Sequence, residues 1–280
     1  MYKIFRNIGI LALVLVSFLY TERIVSVVKD YDNIMIEIKQ NKNQYRIDPI
    51  EATITENTII PGIKGKEVDV EKSYAKMKKY GKFEPTLLAY TKINPQNLLK
   101  DHLDKMIRKG NSSKKMVSII FELNNIDEID SILKILETNN IKGNFFIDST
   151  WIGNNEKTII ELVKNGHIIG NLSYKGDYTN SKFMELDNII KKIAGQKVSY
   201  CYLNEYNKQV LDICSKQGDY TIYPDIIIKN NILVDVKKNL VSGSIISVKN
   251  INKDLDLELL IQYIKSKGME IVNLRTLLSE

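Results

Sequence analysis

The chain has 280 residues, of which 44% are hydrophobic and 26% charged, a composition typical of globular proteins. Its net charge of +6 is small and its lysines are dispersed, which argues against a nucleic-acid-binding protein. The two cysteines, Cys201 and Cys214, match neither a disulfide framework nor a metal cluster. We expect buried free thiols, and pairing only if the fold brings the two together.

The N-terminal segment is predicted to be a membrane anchor. Lys3 and Arg6 precede an apolar run over residues 8–20, and a second apolar stretch follows at residues 24–28. The first run has the length of a signal-peptide core, but no small-x-small cleavage site follows Tyr20. Together the two runs approach the roughly 20 residues that span a bilayer. We interpret residues 1–29 as an uncleaved signal anchor, with its basic end in the cytoplasm and the remaining chain outside the cell. A buried core helix is the alternative.

Residues 30–110 have the texture of a small α+β module without a chemical motif. Ile34, Ile36 and Ile38 alternate with other residues as in a half-buried strand, and Asp69 and Gly81 bracket a helix. Residues 111–115 are the best linker candidate. The predicted elements are strands at residues 34–38, 53–55 and 87–93 and helices at residues 69–80 and 95–107.

The segment from residue 116 to residue 280 alternates between strand and helix patterns. The run VSIIF (residues 117–121) predicts a buried strand, residues 126–136 an amphipathic helix, and residues 144–147 a second strand. This βαβ unit predicts a parallel sheet with right-handed crossovers, in a barrel-like α/β domain. Ligands of such sheets bind at the carboxyl ends of the strands. Further helices are predicted at residues 158–165, 181–193, 206–216 and 255–267, and strands at residues 168–171, 220–222, 226–228, 245–248 and 270–274.

Three motifs of this segment resemble a known family. IFELN (residues 120–124), IKGNFFI (141–147) and NGHIIGNLSY (165–174) are similar to polysaccharide deacetylases with the NodB homology domain. GSII (243–246) and KGMEIVNLRTLL (267–278) extend the resemblance to residues 116–278. It implies a distorted (β/α) barrel that removes N- or O-acetyl groups from chitin-like or peptidoglycan sugars outside the cell. It also implies a metal, typically zinc, held by one aspartate and two histidines.

The chain departs from the family at the catalytic motifs. The family's Thr-Phe-Asp-Asp-Gly motif supplies a base and then a metal ligand, and here Glu122 and Leu123 occupy those positions. The His-x-x-x-His motif reads LSYKG at residues 172–176, and the late histidine falls near Lys249. The Arg-Pro-Pro segment aligns with residues 200–203, which contain neither residue type. We therefore expect no metal cofactor.

The chemistry of deacetylation makes this loss decisive. A metal can lower the pKa of bound water from about 15.7 to about 7, roughly 12 kcal/mol of nucleophile activation. A general base alone contributes about 10²–10⁴-fold. Glu122 is either a surviving catalytic acid or base or a polar strand end, and by itself it would not replace the metal. We interpret the protein as a degenerate, inactive deacetylase.

Other candidate residues have a functional and a structural interpretation. Flat aromatic rings suit sugar faces, so four of them are candidates for the old substrate groove, with core packing as the alternative. His167 lies outside the family's metal site and is expected to be structural, as is His102. Lys175 would repel a metal cation if it pointed inward. Substitute metal ligands are disfavoured because no histidine stands beside the available acids. The groove candidates are Trp151, Tyr174, Tyr200 and Tyr202, and the acids are Asp148, Asp177 and Asp225.

Three hypotheses follow for the function. In the first, a single-pass protein of the cell membrane carries an extracytoplasmic, catalytically degenerate domain that binds cell-wall polysaccharide or another partner. In the second, the protein is an active deacetylase of an aminosugar polymer that uses Glu122 and an unrecognised metal site. In the third, it is a structural partner in a membrane complex that makes contact through residues 30–109.

Overall fold

The computed structural model describes residues 11, 13–18, 29–123, 129–153, 155–173, 177–228, 232–248 and 257–280. Contacts divide the chain into two compact units, a smaller one with residues 1–49 and 64–94 and a larger one with residues 50–63 and 95–280. Most of the predicted anchor lies outside the described residues. None of the helices that the structure describes is long and apolar enough to cross a bilayer.

The helices are α1 Asn33–Asn41, α2 Val70–Tyr80, α3 Ile129–Thr138, α4 Ser149–Ile152, α5 Glu156–Lys164, α6 Asn180–Ala194, α7 Lys208–Gln217, α8 Ile232–Asn239, α9 Leu257–Ser266 and α10 Leu274–Leu277. The strands are β1 Thr53–Ile54, β2 Thr58–Ile60, β3 Gly65–Val68, β4 Tyr90–Ile93, β5 Met106–Ile107, β6 Met116–Leu123, β7 Asn144–Asp148, β8 Ile168–Ser173, β9 Tyr200–Tyr202, β10 Tyr220–Ile222, β11 Ile226–Ile228, β12 Ile245–Val248 and β13 Glu270–Ile271.

The smaller unit packs α1 and α2 with the antiparallel pair β3–β4. The prediction of a strand at residues 34–38 is wrong, because this segment forms α1. Asp32 caps that helix by accepting a hydrogen bond from the Ile34 N–H at 2.9 Å, and Ile34, Met35 and Ile38 are buried at helical spacing. The predicted helix at residues 69–80 is confirmed, with Asp69 as its N-cap and Gly81 left-handed at φ 89°.

The larger unit contains a mixed α/β half-barrel sheet. Its strand order is β1-β2-β5-β10-β9-β8-β7-β6-β12-β11, with β13 also pairing β6. Every described pairing in it is parallel except that of β1 with β2. The predicted strands at residues 220–222, 226–228 and 245–248 are confirmed, whereas α8 was not anticipated.

The segment before the deacetylase-like motifs belongs to this sheet. The prediction of a helix over residues 95–107 is wrong, because Met106 and Ile107 form β5 between β2 and β10. Sheet pairing decides the outcome here, since both side chains are buried against neighbouring strands. Residues 112–114 form a 3₁₀ turn, and Asn111 at its start donates to the Pro61 carbonyl at 3.1 Å.

Alternate residues of the central strands face two different hydrophobic clusters. Phe121, Phe145 and Ile169 belong to the helix-side cluster, which also contains residues of α3, α5, α6 and α9. Ile120 and Phe146 belong to the inner cluster, which α10 closes with Leu274 and Leu277. Strand alternation therefore sends Glu122 to the inner face and Leu123 to the helix side.

The expectation of free thiols is wrong. Cys201 on β9 and Cys214 on α7 form a disulfide with a Cα–Cα distance of 6.2 Å, within the normal range for such bonds. Both cysteines are buried in a third cluster with Phe183 and Leu211. The helix packs its cysteine against the strand, a proximity that a spacing of 13 residues does not reveal.

Candidate functional site

Polar side chains converge where neighbouring strands of the half-barrel end. Five of them lie at or next to the carboxyl ends of β12, β6, β7, β8 and β9, which are adjacent in the sheet. A sixth, Tyr178, follows β8 in the chain and lies close to them. We call the set the polar cluster. Its members are Glu122, Asp148, Ser173, Tyr178, Tyr202 and Ser247.

The Glu122 carboxylate is the centre of one half of the polar cluster. Its Oε1 accepts hydrogen bonds from the Tyr202 hydroxyl at 2.5 Å and the Ser247 hydroxyl at 2.7 Å. The two hydroxyl oxygens are 2.9 Å apart. Burial and the charge of Glu122 raise the pKa of Tyr202, so its phenol stays protonated and remains a donor. All three side chains are buried, and the two hydroxyls have a hydrogen-bond acceptor in Oε1 of Glu122.

Asp148 organises the other half. Its Oδ1 accepts from the Thr150 N–H at 2.8 Å and the Thr150 hydroxyl at 2.7 Å, which caps α4. Its Oδ2 accepts from the Ser173 hydroxyl. Tyr178 lies next to Ser173, and burial raises the pKa of that tyrosine. Tyr178 is 38% exposed, whereas the other five members of the cluster are buried.

The described residues do not offer a metal the donors that the family uses. Leu123, at the aspartate position, has no exposed surface and packs on the helix side, and Leu172 is buried in the inner cluster. No group of three or more histidine, cysteine, aspartate or glutamate side chains in the described part of the chain could hold a metal. One carboxylate oxygen of Glu122, Oε1, already accepts two hydroxyl protons. This donor set does not fit a zinc ion.

The aromatic groove candidates separate in the structure. Tyr202 contacts Glu122 directly but is only 3% exposed, and Trp151 is buried in the helix-side cluster, which favours core packing for that ring. Tyr174 lies outside the described residues, as do Lys175 and Lys249.

Tyr200 lies in a different place from Tyr202. It lines a cavity of about 220 Å³ with Tyr220, Arg275 and Glu280. Burial raises its pKa to about 12. The two tyrosine rings of this cavity are 6.0 Å apart between centroids. Tyr200 is thus near the chain's C-terminal residues rather than part of the polar cluster.

The remaining sequence candidates have structural partners. His167 accepts a hydrogen bond from the Gly143 N–H at 2.9 Å, and burial lowers its pKa to about 4, so it is neutral and structural as predicted. His102 bonds Asn97. Asp177 accepts from the Thr179 N–H, and Asp225 accepts from Ser244 and the Ile245 N–H.

Sequence reasoning missed Ser173, Tyr178 and Ser247 as site residues. For Ser247 a signal was present, because it stands two residues after Ile245 in a predicted strand and therefore shares its inner face. For Tyr178 no local pattern exists, since its position depends on how the chain returns after β8.

Comparison with known proteins agrees with this architecture. The sequence profile of the polysaccharide deacetylase family matches residues 109–224. The Bacillus subtilis protein YlxY, described as uncharacterized, is 34% identical over 152 residues, which cover 54% of this chain and 48% of YlxY. The chain thus spans about half the length of the curated relative it matches.

Solved structures give the same fold. A CE4 family pseudoenzyme from Bacillus anthracis is 25% identical with a TM-score of 0.70, over 89% of this chain and 96% of that one. A mutant of the pseudoenzyme is described as having restored enzymatic activity, and it superposes with a TM-score of 0.69 at 25% identity, over 89% of this chain and 99% of its own. Bacillus subtilis PdaA, a family 4 carbohydrate esterase, is 17% identical with a TM-score of 0.56, over 82% of this chain and 97% of its own, and supports the fold alone. Residues 109–224 therefore resemble the polysaccharide deacetylase family, and the chain shares the fold of its solved members, with leucine at two of the positions that bind the metal in the family.

Proposed function

We propose that this protein is a membrane-anchored, extracytoplasmic glycan-binding protein whose deacetylase domain has lost catalysis. The observation that carries the proposal is the polar cluster, in which hydroxyls and carboxylates occupy the carboxyl edge of the sheet where a metal centre is expected. Such an edge is the usual ligand site of parallel α/β sheets.

The hydrogen bonds around Glu122 support the loss of catalysis. A general base must accept a proton from the attacking water, and the Oε1 of Glu122 is engaged by Tyr202 and Ser247. Without a metal the attacking water keeps its ordinary pKa, so the barrier to hydrolysis stays high. The similarity to a solved CE4 pseudoenzyme agrees with this proposal.

The same groups suit a sugar. Carbohydrate hydroxyls pair with carboxylates and side-chain hydroxyls, and the half-exposed ring of Tyr178 provides an apolar face beside them. The ligand class we propose is cell-wall polysaccharide built from aminosugars, bound without turnover.

One feature of the structure supports the extracytoplasmic location, and a second supports the membrane anchor. Disulfides persist in oxidising compartments, and Cys201 and Cys214 are paired. The described part of the N-terminal segment is helical, and its large apolar side chains, Leu13, Val14, Leu15, Val16 and Phe18, are each more than half exposed. Exposed apolar surface of this kind is typical of a membrane-embedded helix. We therefore propose a single-pass membrane protein anchored by residues 1–29.

The deciding experiment measures metal content and acetate release on the full chain in detergent. Acetylated chitooligosaccharide and peptidoglycan are the substrates, with added Zn²⁺ or Co²⁺, and binding to both is measured in parallel. We expect glycan binding, no stoichiometric metal and no acetate. One tightly held metal with acetate release would instead establish an active deacetylase, and Glu122→Gln would then test the base. Absence of glycan binding would favour the structural-partner hypothesis.

A matched pair of variants assigns the binding to the polar cluster. Tyr178→Ala removes an exposed ring at the cluster, and Tyr90→Ala removes one of nearly equal exposure, 39% against 38%, from the smaller unit. We expect Tyr178→Ala to weaken glycan binding by about tenfold and Tyr90→Ala to leave it unchanged, by isothermal titration. Equal effects of the two variants would contradict a site at the polar cluster.

A further inference from the structure

Helix α2 carries three lysines on one exposed stripe. Lys72, Lys76 and Lys79 are spaced by four and three residues, which places them within about 60° of one another around the helix axis. Ser73 and Met77 mark the buried face of the same helix. All three lysines are exposed, and we call them the lysine stripe.

The lysine stripe differs from the other lysine of this helix in its partners. Lys78 has an ion pair with Asp32 at 2.5 Å, so it has a structural role. Lys72 reaches Asp69 at 2.8 Å while its side chain stays 74% exposed. Lys76 and Lys79 make no ion pair with any residue that the structure describes. Two of the three lysines of the stripe, Lys76 and Lys79, therefore present positive charge that no carboxylate among the described residues neutralises.

The start of the smaller unit is tied directly to α2. Asp32, the N-cap of α1, accepts from the Tyr74 hydroxyl at 3.2 Å as well as from Lys78. Lys29 pairs with Glu71 and lies 5.0 Å from the centroid of the Tyr74 ring. The residues that leave the N-terminal segment thus pack against α2, more than a third of a turn around the helix from the lysine stripe.

This attachment limits how far α2 can be from a membrane. Only three residues separate the end of the proposed anchor at residue 29 from the start of α1 at Asn33, so the Cα atoms of these two residues are at most about 14 Å apart. Tyr80 at the end of α2 is 57% exposed, and tyrosine is enriched at membrane–water interfaces. An anionic leaflet would therefore lie within reach of the stripe.

We propose that the lysine stripe binds the anionic lipid headgroups of the membrane that holds the chain, and so fixes the orientation of the smaller unit on the bilayer. This inference rests on the anchor in the proposed function. Each lysine near an anionic surface strengthens association by about fivefold. The attraction falls off over about 8 Å at physiological ionic strength, so it is sensitive to salt.

The test places a fluorophore on α2 and acceptors on the lipid. The full chain with Ala75→Cys, labelled at this single free thiol, is mixed with vesicles that carry headgroup acceptors. One set of vesicles is phosphatidylcholine alone, and the other contains about a third phosphatidylglycerol. We compare Lys76→Glu/Lys79→Glu with Lys157→Glu/Lys164→Glu, which makes the same charge change on α5 at two exposed lysines.

We expect energy transfer on the anionic vesicles to exceed that on the neutral ones and to fall in 0.5 M salt. In the Lys76→Glu/Lys79→Glu protein, the equilibrium constant for contact between α2 and the anionic vesicle surface should fall at least about 25-fold. The α5 variant should give the same value as the unaltered protein. Equal transfer on both vesicle types, or equal effects of the two variants, would overturn the proposal. Reduced binding of Lys76→Glu/Lys79→Glu to isolated cell walls, with vesicle contact unchanged, would also overturn it and assign the stripe to an anionic wall polymer.

Failure of the anchor has a separate signature. A chain that does not float with neutral vesicles lacks the proposed anchor, whatever the lysine stripe does. The difference between anionic and neutral vesicles then still measures the stripe, because that difference does not depend on the apolar segment.

Discussion

A buried acid lies on each face of the same sheet, and the two acids, Glu122 and Asp219, have different surroundings. On the inner face, Glu122 is surrounded by hydroxyl donors. On the helix side, the Asp187 and Asp219 carboxyls lie close to each other, with Asn171 donating to Asp187 at 2.7 Å and Lys197 3.2 Å from Asp219.

The surroundings on the helix side raise the pKa values of both aspartates. Burial, and then the charge of Asp187, raise the pKa of Asp219 to about 7, and burial raises that of Asp187. Two carboxyls that share a buried site repel each other when both are ionised, so Asp219 keeps its proton to a higher pH than an exposed aspartate does. Neutral hydroxyls instead stabilise a carboxylate without supplying a countercharge. The polar cluster is thus suited to hold fixed hydrogen bonds, and the aspartate pair is suited to respond to pH.

The largest expected loss of stability comes from placing an acid on the helix side of the sheet, where it would have neither a hydroxyl donor nor a second carboxyl beside it. Leu123→Asp should lower the free energy of unfolding by about 4 kcal/mol, because the carboxylate would replace a fully buried leucine. Urea denaturation followed by circular dichroism measures the change. Leu123→Met, which conserves volume, should cost less than about 1.5 kcal/mol. A stable Leu123→Asp protein that binds zinc would show that this strand end can turn to the inner face.

The aspartate pair should make stability depend on pH. A carboxyl whose pKa is raised on folding stabilises the protein below its unfolded pKa, near 4, and loses that contribution as pH rises through about 7. As pH rises from 4 to 8, the free energy of unfolding of Asp219→Asn should therefore increase by about 1–3 kcal/mol relative to that of the unaltered protein. Urea midpoints across this range measure it. A pH dependence that is the same in both proteins would argue against a shared proton.

Removing one hydrogen-bond donor to Glu122 should lower the free energy of unfolding by a smaller amount. Tyr202→Phe leaves the buried carboxylate without its closest hydroxyl and should lower the free energy of unfolding by about 1–3 kcal/mol. Tyr200→Phe is the matched control, since that hydroxyl makes no hydrogen bond to another residue that the structure describes. Urea unfolding of the two variants compares them. Equal losses would mean that the bond to Glu122 adds nothing to stability.

The smallest expected change in stability tests whether the two hydroxyls that donate to Glu122 act together. Ser247→Ala should cost about 1 kcal/mol, and combined with Tyr202→Phe the two losses should not add, because both hydroxyls donate to one oxygen and contact each other. A double-mutant cycle by urea unfolding gives the coupling. Strict additivity would indicate that the two bonds are independent.

Much of the sheet could be predicted because its strands are marked locally. The run at residues 117–121 and the triple isoleucine of β11 are rich in apolar, β-branched residues, a composition that predicts strands largely buried on both faces. The prediction of a strand at residues 34–38 was wrong because Ile34 and Ile38 fit both the two-residue period of a strand and the four-residue spacing of a helix. The Asp32 cap and the packing of Met35 decided for a helix.

The sequence by itself determined that a deacetylase-type α/β domain lies in the second half of the chain and that the family's metal ligands are replaced. Those properties depend on residue type and on short-range pattern. Only the tertiary structure decided that Glu122 meets Tyr202 and Ser247, which are 80 and 125 residues away in the chain, and that Cys201 meets Cys214. Side chains on different strands become neighbours through sheet order and register, and no local pattern encodes either.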